Sequence, residues 1–143
     1  MGLLASLALA AASMSPIHLE PRAGRPHAFV DGEGRELILH GSTAVVKGPP
    51  WYPDHTAFSP DISMAEEDFV WMEQLGLNFL RLGVMWPGTE PLPGQYNETY
   101  LDQIEAIVTL AGAHGVYVML DGKCCCPAWS PTSDALPAAH PTD

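Results

Sequence analysis

Positive charge is scarce in this sequence. Six lysines and arginines stand against 17 aspartates and glutamates in 143 residues, a formal net charge of −11. The six are scattered and form no basic stripe, which excludes nucleic acid and anionic membrane surfaces as partners. Cysteine is scarce as well. The only three are adjacent, Cys124-Cys125-Cys126, so they supply neither a disulfide framework nor a CxxC pair. Neither GxGxxG nor a GK[ST] ending occurs in the loops that follow strand-like runs, which argues against an open nucleotide-binding sheet. No apolar run is long enough for a stable transmembrane helix.

What is present falls into four stretches. Leu3 to Ala12 is apolar and is followed by small residues, so residues 1–13 read as a signal peptide, with a plain apolar N-terminus as the alternative. That implies secretion or residence in the secretory-pathway lumen. Asn97-Glu98-Thr99 is an N-glycosylation sequon, and Asn97 is equally suited to cap the following helix. Residues 14–27 read as a linker. Residues 28–121 carry the regular patterns. Residues 122–143, rich in proline, alanine, serine and threonine, read as a divergent, disordered tail.

Within residues 28–121, Ala28-Phe29-Val30 and Glu36-Leu37-Ile38-Leu39 flank Asp31-Gly32-Glu33-Gly34 and predict a β-hairpin. A strand is expected near 40–46. Pro49, Pro50 and Pro53 then impose a stiff loop. Ser63-Met64-Ala65-Glu66 has the pattern of a capping box, with Ser63 as N-cap and Glu66 reaching back. Ala65, Phe69 and Met72 share one face of a helix near 64–75, and Gly76 ends it. A buried strand follows near 79–84, then a loop over 85–94. Tyr100, Ile104, Ile107, Val108 and Ala111 form the apolar stripe of a second helix near 99–114, closed by Gly115, before a last strand near 116–120. Strands alternating with amphipathic helices predict an α/β fold with a parallel sheet and right-handed crossovers. Long loops after the strands and joins of one or two residues after the helices place function at the strand C-terminal ends.

Several residues at that end are chemically suggestive. Trp51, Tyr52 and Trp86 lie in the strand-to-helix loops, where an aromatic face either stacks on a sugar ring or packs over the sheet end. Arg81 is the one charge inside an apolar strand and requires an anionic partner. It either orients a catalytic carboxylate or forms a structural ion pair. Lys47 ends the preceding strand and either donates to a sugar hydroxyl or is solvated. The cysteine triplet has poor geometry for a tetrahedral metal site and marks a divergence point more naturally.

The stretches "LHGSTAVVKGPPWYP", "NFLRLGVMWPGTEPLPGQYNETYLDQI" and "VYVMLD" together resemble the endoglycoceramidase branch of glycoside hydrolase family 5, from about Phe29 to Asp121. The resemblance implies a TIM (β/α)8 barrel, of which this chain holds an N-terminal hairpin, about three parallel strands and two helices. It implies hydrolysis of the bond between a glycan and ceramide, with a glycosphingolipid or oligosaccharide as substrate and no cofactor. It implies that Lys47 contacts the sugar, that Arg81 neighbours the nucleophile, and that Asp121 supports the site. The family's two catalytic glutamates, one in an Asn-Glu-Pro segment, lie on later strands, and this chain has no Asn-Glu-Pro. Retention needs two carboxyls about 5–5.5 Å apart. The expectation is a fragment that is inactive by itself and has no catalytic residue of its own. Lys47, Arg81 and Trp86 remain as its substrate-binding residues. A non-enzymatic carbohydrate- or glycolipid-binding fragment and a nonfunctional truncated product are the alternatives.

Overall fold

The computed structural model describes residues 14–24 and 26–123. The expected signal segment 1–13, the cysteine triplet and residues 124–143 lie outside the described residues. The described residues form two three-stranded sheets. The first contains β1 (Ile17–Glu20), β2 (Ala28–Asp31) and β3 (Glu36–Leu37), paired antiparallel in that order. The β2–β3 hairpin is as expected, with a shorter second strand. β1 is a correction, because it lies in the segment read as linker. Its four residues sit between Pro16 and Pro21, and a strand this short at a sheet edge carries almost no periodic signal.

The second sheet is parallel, in the order β4 (Gly41–Ala44), β5 (Phe79–Met85) and β6 (Tyr117–Lys123). Helix α1 (Glu66–Gln74) crosses from β4 to β5, and α3 (Glu98–Ala113) crosses from β5 to β6. Between β5 and α3, a short helix α2 (Trp86–Thr89) occupies part of the stretch read as loop. Pro87 in its first turn fits, since the amide that proline lacks has no helical partner there. β6 runs to Lys123 instead of stopping near residue 120. Its last three residues continue the ladder beside Gly83, Val84 and Met85.

Alternation along the strands sets two faces. Leu80 and Leu82 point toward the helices and are fully buried with Phe69 and Met72 of α1 and Ile104, Ile107 and Ala111 of α3. Burial of each such large side chain contributes about 1.5–3 kcal/mol. The opposite face carries Arg81 and Gly83.

The helix ends show one further correction. The N-cap of α1 is Ala65, not Ser63, and the reach-back comes from Asp68. One Asp68 oxygen, Oδ2, accepts the Ala65 amide at 2.8 Å and the Ser63 hydroxyl at 2.6 Å. The helix starts two residues later than the Ser63 pattern suggested, so the acid three residues on is Asp68. Gly76 and Gly115 both take positive φ and end their helices as expected. The joins, residues 75–78 and 114–116, are slightly longer than the one or two residues foreseen. His114 lies across the helix pair, with Nε2 3.0 Å from Glu66 and Nδ1 3.2 Å from Glu73, and its ring stacks on Phe69.

Candidate functional site

The C-terminal ends of β4, β5 and β6 gather the charged and aromatic residues singled out in the sequence. Arg81 pairs with Thr43 on one side and Met119 on the other, and Asp121 lies two residues beyond Met119, opposite Gly83. Positions two apart on a strand share a face, so Arg81 and Asp121 meet on the face away from the helices. The Arg81 guanidinium forms an ion pair with the Asp121 carboxylate. Their side chains are 33% and 23% exposed, so the pair is partly screened from solvent and open on one side. The anionic partner that the sequence demanded for Arg81 is therefore Asp121.

Lys47 is exposed beyond the end of β4 and makes no ion pair among the described residues. Trp86 opens α2 and is 48% exposed, so its ring remains available for stacking. Trp51 is half-buried against the core with a backbone φ of 74°, a left-handed conformation uncommon for a bulky residue. Its amide closes a tight turn onto the Gly48 carbonyl at 2.7 Å. Trp51 thus follows the packing alternative and Trp86 leaves the stacking one open. Tyr52 is half-buried, with its ring centroid 6.0 Å from that of Tyr100.

The other carboxylate near this end is Glu90. Its Oε1 accepts the Gly94 amide and closes the proline-rich loop on itself. Asn97 caps α3, its Oδ1 accepting the Tyr100 amide at 3.2 Å. A glycan on Nδ2 would leave that acceptor in place.

Two loops form a cleft of about 380 Å³ lined by Pro50, Trp51, Tyr52, Pro87, Gly88 and Tyr100 among others. A larger groove of about 670 Å³ runs between α1 and α3 beside His55, Glu66, Asp102 and Glu105. The smaller cleft lies between the strand-to-helix loops and the larger groove along the helices, and neither is lined by Lys47, Arg81, Trp86 or Asp121. No group of three histidine, cysteine, aspartate or glutamate side chains is placed to hold a metal among the described residues. No helix among them is long and apolar enough to cross a membrane.

One residue of the site was not anticipated. Tyr100 was read only as part of an apolar stripe. Its hydroxyl accepts the Met85 amide at 2.8 Å and donates to the Trp51 carbonyl at 3.3 Å. The signal in the sequence was a tyrosine where phenylalanine would serve, since a buried hydroxyl needs partners.

Comparison with known proteins agrees with this geometry. The model of cellulase, glycosyl hydrolase family 5, matches residues 30–137. An endoglycoceramidase of Hydra vulgaris is 45% identical over 93 residues, covering 65% of this chain and 18% of the relative. Endoglycoceramidase I of Rhodococcus hoagii is 35% identical over the same shares of the two chains. The solved endo-glycoceramidase II from Rhodococcus sp., in complex with ganglioside GM3, superposes with a TM-score of 0.52 at 32% identity, covering 68% of this chain and 20% of that one. This chain thus spans about one fifth of the length of the relatives it matches, and its parallel sheet matches part of their TIM barrel. With its parallel strands, its crossovers and its family match over most of its length, the chain belongs to glycosyl hydrolase family 5.

Proposed function

We propose that residues 41–123 form the first part of the substrate-binding face of an endoglycoceramidase-like glycosidase, and that the 143-residue chain alone does not hydrolyse its substrate. The reading rests on the Arg81–Asp121 pair. It places a cation and an anion, fixed to each other, on the sheet face away from the helices, at the strand ends that lead to exposed Trp86 and Lys47. Such a set suits a sugar: the indole covers an apolar ring face, while ammonium, guanidinium and carboxylate engage hydroxyls. The glycan–ceramide linkage enters through the resemblance to endoglycoceramidases and through the relative whose structure contains ganglioside GM3.

The proposed absence of hydrolysis is supported by the chemistry of retention. A retaining glycosidase needs a nucleophile and an acid/base facing one bond about 5–5.5 Å apart. Of the two candidate carboxylates, Asp121 is held by Arg81 and Glu90 by the Gly94 amide. Both therefore serve structure and orientation. Secretion and glycosylation at Asn97 belong to the same reading, supported by the apolar N-terminus and the sequon.

A second reading, a non-enzymatic glycolipid-binding protein, is favoured by the exposure of Trp86. Both readings expect binding without hydrolysis by the isolated chain, and one experiment tests that shared outcome. Fluorescent GM3 is incubated with purified chain in detergent, with binding followed by tryptophan quenching and released glycan by chromatography. Quenching without release in the isolated chain is expected. Release above a heat-killed control, lost in Glu90→Gln or Asp121→Asn, would make those carboxylates catalytic and overturn the proposal.

A further inference from the structure

We infer that Tyr100 is a positioning residue: its hydroxyl pins the two substrate-side loops to each other and so fixes the spacing of Lys47 and Trp86. The inference rests on the proposed sugar-binding role of that face. Tyr100 sits in the first turn of α3, outside both loops, and is buried. Its ring reaches between the loops, and its one oxygen bonds to both. It takes the Met85 amide at 2.8 Å and gives its proton to the Trp51 carbonyl at 3.3 Å. Met85 directly precedes Trp86, so the first bond fixes where α2 leaves β5. Trp51 closes the turn that begins at Gly48, immediately after Lys47, so the second bond fixes the exit of β4.

Two further features show that the ring position is built. A Cβ on Gly88 would lie 2.4 Å from Tyr100 Cε2, so α2 packs its glycine directly on the ring. Thr89 donates to the Met85 carbonyl at 3.2 Å, which holds the same strand end from the other side. Burial pushes the phenol above its ordinary value of 10.0, so the hydroxyl keeps its proton and can serve both bonds at once. A phenylalanine fills the same space and makes neither bond. The apolar stripe of α3 therefore explains a ring at this position but not an oxygen.

The experiment compares the full chain with Tyr100→Phe and Gly88→Ala by amide hydrogen exchange and by GM3 binding. In Tyr100→Phe, exchange is expected to rise at least tenfold at Met85, Trp51 and Tyr52, with the rest of α3 and the centre of β5 unchanged. GM3 binding is expected to weaken about tenfold. Gly88→Ala, which displaces the ring without removing the hydroxyl, is expected to show the same local pattern. Unchanged exchange at Met85, a loss of protection spread evenly through the core, or local loosening with undiminished binding would each overturn the positioning role. Failure of the unsubstituted chain to bind GM3 would sink the sugar-binding reading, and the proposed positioning role with it. The exchange arm would still decide whether the hydroxyl joins the loops.

Discussion

Arg81 and Asp121 show how far single residues speak before a fold is known. A lone cation in an apolar strand announces that it needs an anion, because a buried guanidinium without one is costly. Which anion it finds depends on strand register, and register is not written in either strand alone. Replacing Asp121 with asparagine leaves a cation one-third exposed without its counter-charge. Full burial of such an orphan costs about 3–5 kcal/mol and full exposure below about 1 kcal/mol. We expect Asp121→Asn to loosen this strand end by about 1–2 kcal/mol, read as roughly tenfold faster amide exchange across residues 119–122 with α3 unchanged. Unchanged exchange there would mean that solvent already screens the pair. Asp31 is a second acid with a defined structural role. It is buried and accepts the backbone amides of Arg35 and Glu33 and the Arg35 guanidinium. The Arg35 amide and then its guanidinium hold the carboxyl below its ordinary value of 3.8. The unfolded chain therefore takes up this proton more readily than the folded one. The stabilisation is full above about pH 4 and is lost as the pH falls through the lower folded value. In Asp31→Asn this part of the acid sensitivity should vanish. The check is amide exchange in the β2–β3 hairpin between pH 5 and pH 2, in the parent and the variant.

At the scale of elements, long amphipathic segments were legible and short ones were not. Both crossover helices, the parallel order and the helix-ending glycines follow from apolar spacing and turn chemistry. β1 and α2 are four residues each, too short for a period to show. The cap of α1 departs from the sequence pattern for a related reason: Ser63 and Glu66 fit a familiar spacing, but Asp68 makes the reach-back bond two residues further on, to an alanine that carries no capping oxygen. The Tyr100 hydroxyl was missed because periodicity reports the face of a residue and not its polar partner. Asp68 tests the corrected cap. Its Oδ2 serves both Ala65 and Ser63, and removal of an N-terminal capping acceptor costs about 1 kcal/mol. Asp68→Ala is expected to cost the first turn of α1 about fivefold in amide-exchange protection, with Glu66→Ala causing a smaller loss through its contact with His114. Equal losses from the two, or none from Asp68→Ala, would restore Ser63 and Glu66 as the cap.

For the whole molecule, the decisive feature is the far edge of the parallel sheet. In the order β4-β5-β6, β6 has a neighbour on one side only among the described residues. Met119 and Leu120 are consecutive and so point to opposite faces. Both are exposed, at 43% and 55%. Neither face is covered at these two positions, although Val118 still packs against the core, and a barrel sheet satisfies its edges only by closing. The matched relatives are about five times longer, and the strands that close their barrels have no counterpart in the described residues. The 143-residue chain expressed alone should therefore bind an apolar dye, melt over a broad range and self-associate with rising concentration. Leu120→Glu adds charge at the uncovered edge and is expected to reduce both dye binding and association while the helical signal persists. A sharp two-state melt of the parent without dye binding would show that the edge is protected. Undiminished association in Leu120→Glu would move the cause to other exposed apolar groups, such as Trp71 of α1 and Leu75 just after it.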